Sequence, residues 1–262
     1  MRLLHHDGIH DPGRWPEAAA ALRTTGSVVV HTDVGSWLPA RGDGGDDPYV
    51  LRLLGRDRRR MEGMPHPRGR ARFAASRLFM KHAAAAVLDA APEDLELAYK
   101  PSGRPYLRGI DQLDLSLSHT EELLVIGLTR RGRIGVDVEH SDRRMLDLGT
   151  QRQACTPHEL QRLEDIPEAT RNAALVRMWT LKEAYSKAIG QGLRFRFTEF
   201  GFGESPDRPG VPRLEGPDGE PVGGGEWTFH SRPVGRFVIG VALHDPGFET
   251  LPSLAPARST AR

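Results

Sequence analysis

Two rhythms of hydrophobic and polar residues run along this chain. Gly135–Glu139 (GVDVE) alternates strictly, with Val136 and Val138 separating Asp137 from Glu139. Leu115–Ser118 and Leu123–Thr129 (LLVIGLT) are short apolar runs between polar residues. All three read as strands. Ala71–Ala90 is alanine-rich, lacks Gly and Pro, and closes on Asp89-Ala-Ala-Pro92, which predicts a long helix. A second long helix is predicted over Arg171–Ile189, ended by Gly190. Another begins at Thr156, because Thr156-Pro157-His158-Glu159 has the residues of a capping box with proline at the first helical position. Trp227–Ser231 and Arg236–Leu243 are expected to form a closing hairpin with Val234-Gly235 in its turn. Gly42–Pro48 and Ser205–Gly225, rich in Gly, Pro and Asp, read as surface loops. The stretch from Pro252 to Arg262 has nothing to bury and reads as disordered.

The order of elements repeats. Helix Arg72–Ala90 precedes a strand reading LLVIGL, and helix Arg171–Ile189 precedes one reading FVIGVAL. The fold class expected is α+β: two similar α/β halves related by pseudo-twofold symmetry, each a small, mostly antiparallel sheet packed against a long helix. A joint near Arg130–Gly132 gives an N-terminal half over 1–131, a C-terminal half over 132–250 and a tail over 251–262. With 262 residues, 38% of them hydrophobic, each half can bury a core of its own.

Charge and cysteine usage narrow the class. A formal charge of +1 argues against a dedicated nucleic-acid coat protein. Cys155 is the single cysteine, so an internal disulfide and a Cys-rich zinc site are excluded; it reads as a small packed residue before the Thr156 cap. The first residues lack the apolar core of a signal peptide. The longest apolar stretch, Ala83–Leu88, is far shorter than the ~20 residues of a bilayer span. A soluble, cytoplasmic protein without a membrane partner is expected. His5, His6 and His10 (HHDGIHD) lack partnering cysteine or carboxylate spacing and read as a loop. The run Arg56–Arg60 (RDRRR) reads as a solvated helix face, able to steer an acidic partner.

The candidate chemistry lies in two acidic groupings. In a strand, side chains at i and i+2 share a face, so Asp137 and Glu139 point one way, about 7 Å apart at the backbone. A lone D-x-E is more often two solvated acids than a site. Trp179, Glu183 and Lys187 fall at i, i+4 and i+8 and line one helical stripe, with Leu175, Met178 and Tyr185 on a different stripe as core and Lys182 turned elsewhere. Taken together, three carboxylates and one lysine suit phosphoryl or pyrophosphate chemistry, in which catalysis is positioning and charge neutralisation around a hard cation such as Mg²⁺.

Four segments then carry a family likeness. Gly135-Val136-Asp137-Val138-Glu139 resembles the G-[IV]-D-[IV]-E motif of 4′-phosphopantetheinyl transferases, and Trp179 to Lys187 (WTLKEAYSK) resembles their W-x-x-K-E-[AS]-x-x-K motif, with a spacing that suits the family. Upstream, Ser102–Leu107 (SGRPYL) resembles their G-[KR]-P segment and Leu115–Thr120 (LSLSHT) their [FL]-[NS]-[LIV]-S-H-[ST] segment. The match is to the longer, single-chain (surfactin-synthetase-activating) type. The resemblance implies a holo-[acyl-carrier-protein] synthase activity. The 4′-phosphopantetheine of coenzyme A would be transferred, with Mg²⁺, to a serine of an acyl or peptidyl carrier protein, releasing 3′,5′-ADP, by a monomer that binds no nucleic acid.

Residue by residue, the resemblance makes Asp137, Glu139 and Glu183 the metal ligands. It places Lys187 on the phosphate under attack, Ser118 and His119 on the nucleotide's phosphates, Arg104 on a phosphate and Arg72 on the nucleotide, with Arg68, Arg70 and Arg77 as close alternatives to Arg72. Glu183, or a water held by Glu139, would be the general base, so the catalytic set is Glu183, Lys187 and Glu139. Ser186 stands where a larger apolar residue is common, which bears on packing. Two other classes could use the same acids. Another Mg²⁺-dependent phosphoryl transferase or a nuclease would want a continuous basic groove, and a non-catalytic coenzyme A or carrier-binding module would have no need of Glu183 and Lys187.

Overall fold

In the computed structural model, which describes residues 1–8, 14–38, 47–146, 149–192 and 195–247, the runs LLVIGLT and FVIGVAL are central strands of two separate sheets. Their near-continuous apolar sequence reflects burial on both faces. The strands and helices in chain order are β1 (Arg2–His5), α1 (Trp15–Thr25), β2 (Ser27–Asp33), α2 (Pro48–Leu54), α3 (Arg58–Glu62) and α4 (Pro67–Leu88). Then come β3 (Leu97–Tyr99), β4 (Pro105–Leu107), β5 (Asp114–His119), β6 (Leu123–Thr129) and β7 (Arg133–His140). The chain continues through α5 (Gln151–Ala154), α6 (Pro157–Asp165), α7 (Glu168–Ile189), β8 (Gly201–Ser205), β9 (Arg208–Glu215), β10 (Trp227–Val234) and β11 (Phe237–His244).

The first sheet has the order β1-β2-β6-β5 and is antiparallel except for the parallel pair β1–β2, which α1 connects. The second, β10-β11-β7, is antiparallel throughout. Helix α4 covers the outer face of the first sheet, where Ala74, Leu78 and Ala75 share a core with Leu115, Ile126 and Leu128. Helix α7 covers the outer face of the second, packing Leu181, Ala184 and Ala188 with Phe229 and Ala242. Between the sheets, Val29 and Val125 meet Val136, Val138, Ile239 and Val241. The result is a mixed α+β arrangement of helix, sheet, sheet and helix, built from small, mostly antiparallel sheets as the sequence implies. Among the described residues no helix is long and apolar enough to cross a membrane.

Two glycines let α7 settle onto its sheet. A Cβ on Gly135 would collide with the carbonyl oxygen of Ala184, and one on Gly240 with that of Thr180. The helix backbone therefore rests directly on the strand backbones. Its end is set by Gly190, left-handed at φ 76°, and α4 ends the same way at Asp89, φ 56°. The Thr156 capping box is present: the Thr156 hydroxyl accepts from the Glu159 amide at 3.1 Å, and Glu159 accepts from the Thr156 amide at 2.9 Å.

Three expectations are corrected. Ser205–Gly225 is not loop throughout, because Arg208–Glu215 pairs with Gly201–Ser205 as a hairpin. Its anchor is Glu215, buried and ion-paired to Arg162 and Arg213, with Gly203 leaving room beneath it. Pro209 and Pro212 are tolerated because β9 has a ladder on one side only. The closing hairpin turns at Gly235-Arg236 rather than Val234-Gly235, since Val234 pairs with Phe237. HHDGIHD does not begin as a loop: His5 ends β1, and the His6 ring is buried 4.0 Å from Trp15 and 5.7 Å from Trp37, centroid to centroid. His10, most of Gly42–Pro48 and the Pro252–Arg262 tail lie outside the described residues.

Gly135→Ala should destabilise the protein by about 3 kcal/mol in urea denaturation, the upper range of overpacking. Gly35→Ala, with no atom within 4 Å of the added methyl, should stay within about 0.5 kcal/mol of the parent. An equal effect at the two positions would refute the direct helix-on-strand contact.

Candidate active site

β7 is an edge strand, paired with β11 on one side only. Its outward amides at Ile134, Val136 and Val138 need acceptors. β5 supplies side chains in place of a ladder. The carboxylate of Asp114 accepts from Ile134 at 2.8 Å, and the hydroxyls of Ser116 and Ser118 accept from Val136 at 3.1 Å and Val138 at 3.3 Å. These three residues are spaced i, i+2, i+4, so one face of β5 serves every second residue of β7. Arg104 closes the joint. It donates to Asp114 at 2.5 Å, to the Ile134 carbonyl at 2.7 Å and to the carbonyl of Lys187 on α7.

The joint delivers Ser118 to Asp137. Asp137 is 5% exposed, and its Oδ1 accepts from the Ser118 hydroxyl at 2.8 Å and from Lys187 Nζ at 2.6 Å. Lys187 Nζ also donates to Ser118 Oγ at 3.0 Å. The other oxygen, Oδ2, is buried without a hydrogen-bond partner. Glu139, two residues along the same face, pairs with Arg143. Its pKa is raised by burial and by the Asp137 charge, against the opposing pull of Arg143. Glu183 projects from α7 toward both acids and makes no side-chain hydrogen bond among the described residues. Burial first, then Asp137 and Glu139, push its pKa up to about 6, although Lys187 and Arg143 act the other way.

An open cleft of about 510 Å³ is lined by Ser118, His119, Asp137, Glu139 and Lys187. A second cavity of about 290 Å³ lies on the other side of Lys187, between Gly103-Arg104-Pro105 and Glu183, Gly190 and Gly192. His119 stands at the end of β5 with its outer edge open to solvent. The protein around its ring, then Arg72 and Lys187, lower its pKa and favour a neutral imidazole. Arg72 thus lies close enough to sense His119, in the second turn of α4.

The structure therefore gathers Asp137, Glu139, Glu183, Lys187, Ser118 and His119 around the two cavities, with Arg72 near His119. Arg104 reaches the same place but differs in surroundings, because its guanidinium is buried and bonded to protein. Lys182, adjacent to Glu183, turns to the opposite side and forms a fully buried pair with Glu159 at 2.6 Å, its pKa lowered by burial. Met178 and Tyr185 are half-buried, whereas Leu175 is core. Ser186 is buried and donates to the Gly192 carbonyl at 2.9 Å, which explains why a small polar residue fits there. Cys155 is buried as expected, its thiol pushed up to about 12.

Sequence reasoning missed Asp114, Ser116 and Arg143. The alternation D-L-S-L-S was visible, but its meaning depends on which strand lies beside it. Arg143 belongs to no motif quoted above.

Hard oxygen donors and the orphaned buried Oδ2 of Asp137 fit a divalent cation of the Mg²⁺ kind. As the side chains stand, however, no three metal-ligating groups converge among the described residues. Lys187 and Arg143 hold two of the acids instead.

Comparison with known proteins agrees with this geometry. Residues 133–242 match the sequence model of the 4′-phosphopantetheinyl transferase superfamily. Over these residues the chain is similar to that superfamily. A Synechocystis sp. chain named as a 4′-phosphopantetheinyl transferase is 30% identical over 147 residues, covering 55% of this chain and 60% of the relative. The superfamily enzyme HetI of Nostoc sp. is 30% identical over 131 residues, 48% of this chain and 55% of its own. The 4′-phosphopantetheinyl transferase psf-1 of Bacillus pumilus is 29% identical over 119 residues, 45% and 49% respectively. The matches thus span about half to three-fifths of these relatives' length. A solved holo-(acyl-carrier-protein) synthase from Bacillus anthracis, in complex with coenzyme A (3′,5′-ADP), aligns with 45% of this chain and 98% of its own. At 20% identity and a TM-score of 0.36 that alignment is too weak to bear on the fold.

A raised folded-state pKa means the ionised Glu183 costs stability. The cost is absent below the ordinary value of 4.5, grows as pH rises and is complete above about 6. In metal-free buffer, Glu183→Gln should therefore unfold at a higher temperature than the parent at pH 7.5. The advantage should vanish at pH 4, and a constant difference across that range would count against the crowded-carboxylate account.

Proposed function

We propose that this protein transfers the 4′-phosphopantetheine group of coenzyme A to a serine hydroxyl of an acyl or peptidyl carrier protein. This is a holo-[acyl-carrier-protein] synthase type of reaction, assisted by Mg²⁺, and the enzyme would act as a cytoplasmic monomer. The observation that carries the reading is Asp137. One of its oxygens is shared by Lys187 and Ser118, the other is buried and unpartnered, and Glu139 and Glu183 crowd it from two elements. Crowded acids beside a lysine suit a diphosphate and its counter-ion better than they suit an empty surface. The names of the superfamily relatives and the two cavities meeting at Lys187 support the same choice.

Asp137, Glu139 and Glu183 would hold the divalent ion. When bound, that ion neutralises charge on the pyrophosphate oxygens and lowers the barrier to attack at phosphorus. Lys187, 27% exposed, would leave Asp137 Oδ1 for a phosphate oxygen. There it would stabilise charge that develops as the carrier serine attacks the β-phosphate and 3′,5′-ADP departs. His119 lines the open cleft with Arg72 near it, and both would bind the nucleotide's phosphates, with the Ser118 hydroxyl orienting Asp137. Arg104 acts at one remove, by fixing the backbone of Lys187. Glu183, on the same helical stripe as Lys187, would accept the serine proton.

Incubated with coenzyme A, Mg²⁺ and an apo carrier protein, the enzyme should add one phosphopantetheine mass to the carrier. Asp137→Asn and Glu183→Gln should each lower kcat by about 100-fold or more. No mass gain with fatty acid, polyketide or peptide carriers alike, or full activity in either variant, would refute the assignment.

A further inference from the structure

Arg143 lies three residues beyond the end of β7, in a segment pinned on both sides. Its amide donates to the His140 carbonyl at 3.1 Å, and its carbonyl accepts from Asn172 Nδ2 of α7 at 2.8 Å. Asn172 Oδ1 also accepts from Met145 and Leu146, at 2.9 and 3.3 Å. With the backbone anchored this way, the side chain folds back over the strand end. Its guanidinium carbon sits 5.9 Å from the ring centroid of Trp179, one turn ahead of Glu183. Its Nη1 bonds Glu139 Oε1.

Three acids, Asp137, Glu139 and Glu183, thus face two cations, Lys187 and Arg143, each cation holding one acid. Lys187 has work to do on a phosphate in the function proposed above, but Arg143 has none there. A divalent ion on Glu139 would sit at about 2.0–2.1 Å from its oxygen. A guanidinium bonded to the same oxygen would then face a double positive charge at close range in a partly buried site.

We propose that Arg143 is a built-in counter-cation that occupies the Glu139 corner of the metal site and must be displaced when the divalent ion binds. It sets the metal affinity of the free enzyme. The arrangement keeps three crowded carboxylates tolerable before metal and coenzyme arrive, and it explains why the acids do not yet converge as a ligand set. Because Arg143 is 44% exposed on its side chain, it can swing into solvent without disturbing the core.

The inference rests on the metal-site reading given above, so the test must separate the two. Mn²⁺ binding to the coenzyme-free protein can be followed by the loss of the free-ion electron paramagnetic resonance signal. Arg143→Gln should bind Mn²⁺ about 2- to 5-fold more tightly than the parent, the range expected for releasing a partly exposed ion pair. Arg143→Lys, which keeps the charge, should stay close to the parent. Asp137→Asn should bind more weakly. Unchanged or weaker binding in Arg143→Gln, with Asp137→Asn still impaired, would overturn the proposal and leave the metal site standing. Parent-like affinity in Asp137→Asn would overturn the metal site itself and this inference with it.

Discussion

Everything in the site depends on how the unpaired edge of β7 is satisfied. A strand edge exposes amides and carbonyls that must find partners, and the usual partner is another strand. Here the partners are the side chains of Asp114, Ser116 and Ser118, with Arg104 on the remaining carbonyl of Ile134. Side chains are longer than a backbone ladder allows, so β5 stands off from β7. The space that opens at the Ser118 end holds Asp137, and beyond it lie the two cavities. The joint between the sheets and the site are thus one piece of structure.

That arrangement recasts the part played by Arg104. Its likeness to a phosphate-contacting residue is a likeness of sequence position. In the fold it clasps β5, β7 and the Lys187 carbonyl, drawing together elements far apart in the chain. Charge buried at such a junction needs hydrogen-bonded partners, and Arg104 has one carboxylate and two carbonyls. Its bond to the Lys187 carbonyl ties the end of α7 to the joint between the sheets.

Much of this was legible in the residues because local rules dominate locally. The alternation in GVDVE had to put Asp137 and Glu139 on one face, and the 3.6-residue period of α7 had to put Glu183 and Lys187 on one stripe. The Thr156 cap announced its helix. What could not be read was whatever depends on two distant segments meeting. Asp114 and Ser116 are ordinary alternating polar residues until β7 is laid beside them. Glu215 makes a strand of a Gly- and Pro-rich stretch only because Arg162 and Arg213 are there to pair with it. His6 is an unremarkable polar residue in sequence, and it is buried because Trp15 and Trp37 enclose it.

Lys182 shows what a neighbour outside the chemistry can impose on it. Its ammonium has three protons, and the fold offers three acceptors: the carbonyls of Ala154 and Phe197 and the carboxylate of Glu159, each at 2.6 Å. That valence is complete and dry, so the helix is keyed like a shaft in a slot and has no freedom to roll about its own axis. Glu183, the next residue, is set about 100° around that axis by the geometry of the helix. Its aim is therefore fixed by buried bonds on another face of α7.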